Sequence, residues 1–504
     1  MTGRAWRGRR PIGLSHAIES FSERIPRGLP RGKRANIIVF VLKDRRFPAA
    51  CGGELQSECG RTPRGLPRGR QAKPNVFSLT VRRFPVACSM GFLTGRTVVK
   101  EMTSKLSEVG RNLQGSEIRR LFEVSMRPNV ISFAGGMPDP DSFPAQEVAE
   151  AYFELLSERG EVLLQYGPSR GTAEGMQAAG YLMNRHGIRT SGDEILITSG
   201  GQQAINIVTQ VLVDPGDVIL MENPTFVGAL GVFRNTRAKL VGIPMDSKGL
   251  IPARLQKAAQ DCMQRGEKIK FLYIITNFQN PTGLSLAPER RPEILQIARQ
   301  YDFLVLEDDP YGELFFHGTQ DRVKPLKALD TDGRVIYAGS FSKIISPGIR
   351  LGWLASTPQL IERFDMARQM MDVCTNPLTQ AMADRLCISG FLDGHIRNLR
   401  GIYAMRCEAM LAALKESMPR GVTWTKPEGG FYIWLTLPGS LSALDMLPKA
   451  IEQNVVYVIG NASSPDQSAG ASMRISFCHE NEKTIEEGIG RLARTIHSMT
   501  GKSK

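Results

Sequence analysis

Phe303-Leu304-Val305-Leu306-Glu307-Asp308-Asp309-Pro310-Tyr311 and Arg334-Val335-Ile336-Tyr337-Ala338-Gly339-Ser340-Phe341-Ser342-Lys343 share one pattern, an apolar run that stops abruptly at polar groups. Short apolar runs of this kind read as strands buried on both faces. Similar runs occupy 194–198, 217–221, 239–244 and 269–276, and amphipathic stretches at 202–212 and 289–301 lie between several of them. The alternation predicts an α/β fold with a mostly parallel sheet and helices on both faces. Ligands of such sheets bind beyond the carboxyl ends of the strands, where these polar groups fall. After residue 357 a long helical region reaches about residue 416. Short strands at 422–425, 430–435, 455–458 and 473–477 then predict a smaller α+β domain.

A chain of 504 residues can bury more than one core. Its 42% hydrophobic and 23% charged residues are ordinary for a soluble globular protein. No apolar run approaches the roughly 20 residues that a membrane helix needs. The net charge of +14 is confined to one region: residues 1–100 carry 21 basic and 5 acidic residues, while the remaining 404 balance at −2. The basicity therefore says nothing about what the main body binds, and nucleic acid is not an expected partner. Eight cysteines are scattered without a CxxC pair and six histidines show no ligand spacing, so neither a metal site nor a disulfide framework is expected. A reducing compartment, with the cytoplasm as default, follows.

The first hundred residues repeat themselves. Arg27-Gly28-Leu29-Pro30-Arg31-Gly32 returns as Arg64-Gly65-Leu66-Pro67-Arg68-Gly69, and Arg45-Arg46-Phe47-Pro48-Ala49-Ala50-Cys51 returns as Arg82-Arg83-Phe84-Pro85-Val86-Ala87-Cys88, both at an offset of 37. Two Pro- and Arg-rich copies cannot stack into a continuous core, so residues 1–101 are expected to be a disordered extension. Three readings compete for it: a targeting peptide leading to an organelle matrix, a nucleic-acid arm, or translated upstream sequence with the start at Met90 or Met102. The last is favoured, because the recognisable motifs begin only after residue 102.

The chemistry concentrates in Ser340-Phe341-Ser342-Lys343-Ile344-Ile345-Ser346-Pro347-Gly348-Ile349-Arg350. Most lysines are solvated surface residues. Lys343 instead follows a buried-looking strand, stands between hydroxyls and has an arginine seven residues on. That set suits a Schiff-base lysine beside a phosphate pocket, with Ser340 and Ser342 donating hydrogen bonds and Arg350 adding charge-assisted ones. Other strand ends carry Thr198-Ser199-Gly200-Gly201-Gln202-Gln203, Glu222-Asn223-Pro224-Thr225-Phe226 and Asn280-Pro281-Thr282-Gly283. A glycine turn leading into a helix offers N–H groups and a positive dipole end to phosphate, although any α/β protein has several such turns. Arg474 sits inside the apolar strand Met473-Arg474-Ile475-Ser476-Phe477, where an arginine is rarely buried without a partner.

From about residue 104 to the C-terminus these motifs, in this order, resemble the fold type I, class I/II aminotransferases that use pyridoxal 5′-phosphate, and within them the 2-aminoadipate and kynurenine subgroup. The resemblance implies a seven-stranded, mostly parallel sheet in a large domain at 151–390. An N-terminal arm with part of a small domain would lie at 102–150, and the rest of the small domain at 391–504. It makes Lys343 the cofactor-bearing residue, Asp308 the acid facing the pyridine nitrogen in preference to Asp309, and Asn280 and Tyr311 the hydrogen-bonding partners of the phenolic oxygen. Phe226 stacks on the ring where relatives carry tyrosine. Phosphate falls to Gly201, Gln202, Ser340, Ser342 and Arg350. Close relatives have serine at the place of Gly201, so one hydroxyl contact is lost here. Arg474 becomes the clamp on the substrate α-carboxylate. Softer matches make Tyr166, in Gln165-Tyr166-Gly167-Pro168, a phosphate ligand of the neighbouring subunit, which implies a homodimer with shared sites. Gly136, in Phe133-Ala134-Gly135-Gly136-Met137-Pro138, would line the pocket. Ser116 and Arg119 would belong to a helix that meets the substrate side chain.

The implied reaction moves the amino group of an α-amino acid to a 2-oxo acid, with 2-oxoglutarate as the expected acceptor and Lys343 carrying the proton in ping-pong chemistry. Arg119 and the subgroup lean towards 2-aminoadipate, aromatic or branched-chain donors. Two other classes stay open at this point: a different reaction of the same cofactor, such as a β-lyase or decarboxylase, and a transcription regulator with an aminotransferase-like body. Against the regulator, residues 1–100 show no helix-turn-helix periodicity.

Overall fold

Strand parity organises the protein. In the computed structural model, which describes residues 104–112, 121, 123–318, 320–439 and 441–500, strand β1 (Ile131–Ser132) belongs to a small pair and the next eight strands make one sheet, one strand more than the seven expected. These are β2 (Ile195–Thr198), β3 (Val218–Asn223), β4 (Lys239–Asp246), β5 (Gly249–Leu250), β6 (Ile269–Ile274), β7 (Leu304–Asp309), β8 (Val335–Ser340) and β9 (Gly352–Ala355). Their order across the sheet is β2-β9-β8-β7-β6-β3-β4-β5. The pairs β8–β7, β7–β6, β6–β3 and β3–β4 are parallel, whereas β9 runs antiparallel to both β2 and β8, and the two-residue β5 antiparallel to β4. Adjacent residues go to opposite sides. Ile219, Met221, Phe271, Tyr273, Leu306 and Ile336 join one apolar core, and Val218, Leu220, Leu272, Ile274, Val305 and Val335 join the other. Burial on both faces is why these strands read as unbroken apolar runs.

The helices that matter here are α1 (Ala145–Leu163), α2 (Ala173–Arg185), α3 (Gly201–Leu212), α4 (Val227–Asn235), α5 (Pro252–Gln264), α6 (Arg290–Gln300), α7 (Pro358–Asp372), α8 (Pro377–Ile388) and α9 (Phe391–Ser417). Leu255, Ala259, Ile294 and Ile297 of α5 and α6 close the second core, while Ala204, Ile205, Ile207 and Val208 of α3 close the first. The region expected as one long helical stretch is thus three helices, α7, α8 and α9. The breaks fall at Val373, held at φ 66°, with Pro377 opening the next helix, and at Gly390, held at φ 75°.

A four-stranded antiparallel sheet follows, ordered β10 (Thr423–Trp424), β11 (Tyr432–Thr436), β14 (Ser472–Ser476) and β13 (Val458–Ile459). The run expected at 455–458 divides: β12 (Val455–Val456) pairs in parallel with β1, and β13 joins β14. β9 was not among the strands expected from the sequence. It directly follows Arg350 and Leu351 and, unlike the equally short β2, contains no β-branched residue. The basic duplication, Ser116 and Arg119 lie outside the described residues.

Candidate active site

The carboxyl ends of β3, β6, β7 and β8 open onto a cavity of about 320 Å³ that also touches the four-stranded sheet. Its lining includes Gly136, Gly201, Gln202, Phe226, Asn280, Asp308, Tyr311, Ser340, Ser342, Lys343, Arg350 and Arg474, twelve residues named from sequence alone. A cleft of this size suits a small molecule. Of the expected residues that are described, Tyr166 is not part of this lining. Tyr166 is 77% exposed and stands apart from the cavity, while Ser116 and Arg119 lie outside the described residues.

β7 separates its two terminal acids by parity. Asp308 faces the cavity, with its Oδ2 accepting a hydrogen bond from the Tyr273 hydroxyl at 2.7 Å. Asp309 turns to the opposite side, where its Oδ2 accepts from Tyr337 at 3.2 Å and Asn277 at 3.5 Å. Burial pushes the Asp308 carboxyl up to about 7; the Tyr273 hydrogen bond pulls it back, the Asp309 charge adds to the rise, and Lys343 opposes it.

Lys343 lies just past β8, half-buried, with Nζ donating to the Gly136 carbonyl at 2.9 Å and standing 5.7 Å from the centre of the Phe431 ring. Burial lowers its amine to about 8, with Arg474 and Arg350 pushing the same way and Cys478 and Asp308 resisting. An amine in that range is readily deprotonated to a nucleophile.

One end of the cavity is built for an anion. Gly200, at φ 88°, ends the turn from β2 and α3 starts at Gly201 without a side-chain cap, leaving its first N–H groups for a ligand. The Gly200 conformation is one that a side chain disfavours, and an added Cβ would also sit 2.6 Å from the Arg350 guanidinium. Arg350, itself left-handed at φ 51°, donates to the Ser199 carbonyl at 3.0 Å and to the Pro347 carbonyl at 3.2 Å. The Ser340 and Ser342 hydroxyls are 3.0 Å apart. Gln202 is exposed and donates to the Gly228 carbonyl at 3.1 Å. Phe226 caps the start of α4 on the cavity wall.

At the other end β14 places Arg474, 2% exposed. It donates to Asn280 Oδ1 at 3.0 Å and to the Ala134 carbonyl at 2.6 Å, and its guanidinium carbon lies 4.4 Å over the Tyr432 ring. Its Nε has no partner among the described residues. A buried N–H without an acceptor is costly, and a carboxylate supplies one. Asn280 leads into Pro281 through a cis peptide bond.

Two residues of this site were missed from sequence, Tyr273 and Tyr432. Both read there as plain strand aromatics. Tyr432 lies on β11 two residues before Trp434, which pairs with Arg474, so Tyr432 and Arg474 share a sheet face. The hydroxyl of Tyr311 donates to that of Tyr432 at 3.3 Å, and an added Cβ at Gly136 would run into the Tyr432 hydroxyl. Glycine at 136 is therefore what lets the loop close on Tyr432.

The cavity thus carries a low-lying amine, a buried carboxylate, an aromatic wall, an anion-binding end and a free guanidinium N–H. The family model of class I and II aminotransferases matches residues 128–492. The chain is a class I and II aminotransferase. This aminotransferase is 42% identical to aromatic-amino-acid aminotransferase 1 of Thermococcus litoralis over 77% of its own length and 93% of the relative's. Among solved structures it is similar to the kynurenine aminotransferase of Pyrococcus horikoshii, a complex with PMP, at a TM-score of 0.77 and 38% identity, covering 81% of this chain and 100% of that one. It is also similar to the α-aminoadipate aminotransferase of Thermus thermophilus, complexed with N-(5′-phosphopyridoxyl)-L-leucine, at a TM-score of 0.72 and 33% identity, covering 79% and 99%. Its cofactor is pyridoxal 5′-phosphate, and the residues fit it. The amine of Lys343 can take the aldehyde, Asp308 can face a protonated ring nitrogen, and the α3 end with Arg350 can take the phosphate. Among the described residues no cluster of metal-binding side chains occurs and no helix is long and apolar enough to cross a membrane.

Proposed function

We propose that this aminotransferase takes its amino group from an aromatic or 2-aminoadipate-type α-amino acid and passes it to 2-oxoglutarate in two separate half-reactions. The observation that carries this reading is that Lys343, Asp308 and Arg474, the last with an Nε that has no partner among the described residues, line one cavity. The cofactor supplies the carbonyl that accepts the amino group and an electron sink for the pair left at Cα. Arg474 and Asn280 hold the substrate carboxylate and so orient the Cα–H bond. Lys343 Nζ would take the proton from Cα and deliver it to the cofactor's former aldehyde carbon, two atoms away across the nitrogen, acting as base and then acid. Asp308, kept ionised, holds a proton on the ring nitrogen. Tyr311 and Asn280 face the phenolic oxygen, Phe226 covers the ring, and Gly201, Gln202, Ser340, Ser342 and Arg350 hold the phosphate. Tyr432 and Gly136 shape the side-chain end.

A homodimer completes the reading. Tyr166 is exposed, as are Phe153 and Leu164 on or beside α1 and Met370 and Val373 at the end of α7, and the Gly167 N–H donates to Cys374 Sγ at 3.4 Å, which joins the Tyr166 and Val373 segments. Exposed apolar groups of this density suit an interface, and Tyr166 would reach the neighbour's phosphate from there. The division into a large domain at 151–390 and a small domain flanking it accords with the two sheets. The described cysteines are all free, in keeping with a reducing, cytoplasmic setting.

The test is oxo-acid release from the holoenzyme by a panel of amino acids with no acceptor present. The expected result is one equivalent of oxo acid per site and then a halt, relieved by 2-oxoglutarate and absent in Lys343→Ala. Continuous release of ammonia or carbon dioxide would instead assign a lyase or decarboxylase.

A further inference from the structure

The acid that faces the ring nitrogen has a single hydrogen-bond donor among the described residues, and that donor has no part in the chemistry set out above. We propose that Tyr273 is a positioning residue for the transamination, its hydroxyl holding the Asp308 carboxylate ionised and turned toward the cavity. The inference rests on the reading of Asp308 as the acid opposite the ring nitrogen.

The geometry follows from the sheet. β6 and β7 are parallel neighbours with Tyr273 in register with Leu306, so Tyr273 and Asp308, two residues further on, emerge from the same face. The hydroxyl reaches Oδ2 at 2.7 Å. Oδ1 is left on the cavity side, 4.0 Å from where a Cβ on Gly201 would sit. The ring cannot swing away. Tyr273 is 0% exposed, and Phe233 of α4 packs against it at 5.2 Å with the planes at 71°. Phe233 is held in turn by Phe271 at 5.7 Å.

The carboxylate needs such a donor because the groups around it are unfavourable to a negative charge. Asp309 follows it on its own strand, Glu222 approaches from the end of β3 and Tyr311 from the loop beyond β7. Among the described residues Lys343, beyond β8, is the one cation whose charge acts on it. Asp308 is 6% exposed, and burial favours the neutral acid. A neutral Asp308 cannot hold a proton on the ring nitrogen, so the electron sink would be lost. Against burial, the Tyr273 hydrogen bond is the largest counterweight, ahead of the Lys343 charge. Tyr273 itself keeps its proton, because burial and the Asp308 charge both drive its phenol far above the usual range. Glu222 does not compete for the hydroxyl. It accepts instead from the Ile275 N–H at 2.9 Å and from Gln279 Nε2 at 3.3 Å.

Tyr273→Phe removes the donor and keeps the ring between Phe233 and the sheet. In the holoenzyme, the acid limb of the kcat–pH profile is expected to move up by about one unit, the scale of one hydrogen bond to a buried carboxylate. The value of kcat near neutral pH should fall about tenfold while KM for the amino acid stays within about twofold, because the substrate-binding end is untouched. Phe233→Leu loosens the ring without touching the hydroxyl and should give a smaller shift of the same sign; it also serves if Tyr273→Phe does not fold. In an Asp308→Asn background, Tyr273→Phe should change nothing further. An unmoved pH profile in both single variants, or an additive double variant, overturns the inference about Tyr273. Full activity in Asp308→Asn alone overturns instead the role given to Asp308.

Discussion

Gly201 departs from the serine expected of close relatives, and its surroundings do not require a glycine. An added Cβ would meet nothing nearer than Asp308 Oδ1 at 4.0 Å. Gly200 beside it is different, since both its φ of 88° and the Arg350 guanidinium forbid a side chain. A hydroxyl at 201 would add one donor at the anion-binding end. Gly201→Ser is therefore expected to hold the cofactor more tightly, by about 1 kcal/mol or roughly fivefold in Kd, measured by titrating the apo-protein with pyridoxal phosphate. Gly200→Ser, as a control, should weaken binding. At this scale the motif residues were legible because their polar types interrupt apolar strands at fixed places. The facing of Asp308 rather than Asp309 also follows from strand parity, once the register of β7 is known. Tyr273 was not legible: a tyrosine inside a strand carries no local mark of what its hydroxyl will meet on the next strand.

Among the elements, β8 and β9 show how one cross-strand pair can set a residue. Gly339 is directly opposite Trp353, and a Cβ on Gly339 would penetrate the indole. The same indole packs against Phe341 at 5.2 Å and Tyr337 at 6.4 Å, so it cannot retreat. Gly339→Ala should cost about 1–3 kcal/mol of stability by overpacking, read as a lower denaturant midpoint with an unchanged m-value. Because Gly339 immediately precedes Ser340 and lies four residues before Lys343, some loss of cofactor affinity should accompany it. β9 itself escaped the sequence reading for a physical reason. Unlike the equally short β2, Gly352-Trp353-Leu354-Ala355 carries no β-branched residue, and its place in the sheet is set by pairing on both sides, with β2 and β8.

Across the whole molecule, Glu313 binds distant segments to one another. From the loop after β7 its carboxylate accepts from Arg185 Nε at 2.8 Å at the end of α2, lies 3.1 Å from His186 Nε2, and accepts from Arg400 Nη2 at 2.9 Å on α9. Burial alone would push this carboxyl up, but the His186 hydrogen bond and charge, followed by those of Arg185, outweigh it and hold it down at about 2. A carboxyl depressed on folding contributes stability above its ordinary value of 4.5 and loses that contribution as the pH falls from there toward 2. Glu313→Gln removes the charge facing buried His186 and half-buried Arg185 and Arg400, of which Arg185 keeps Asp393, and should cost about 3 kcal/mol near neutral pH. The gap in unfolding midpoint between wild type and variant should then narrow as the pH drops through that window. A gap that stays constant with pH would show that the network stabilises by packing alone.

The amino-acid sequence by itself determined the class of the fold and the chemistry of the site. Apolar runs buried on both faces can form only a covered, mostly parallel sheet, and polar groups at the ends of such strands are drawn to one edge by topology. Local pattern sufficed there because periodicity and strand ends are local properties. The tertiary structure alone decided which phenol hydrogen-bonds Asp308, which aromatic lies over Arg474 and why residue 136 must lack a side chain. Each of those depends on the register between strands far apart in the chain. A shift of one residue in that register would turn every one of these side chains to the opposite face.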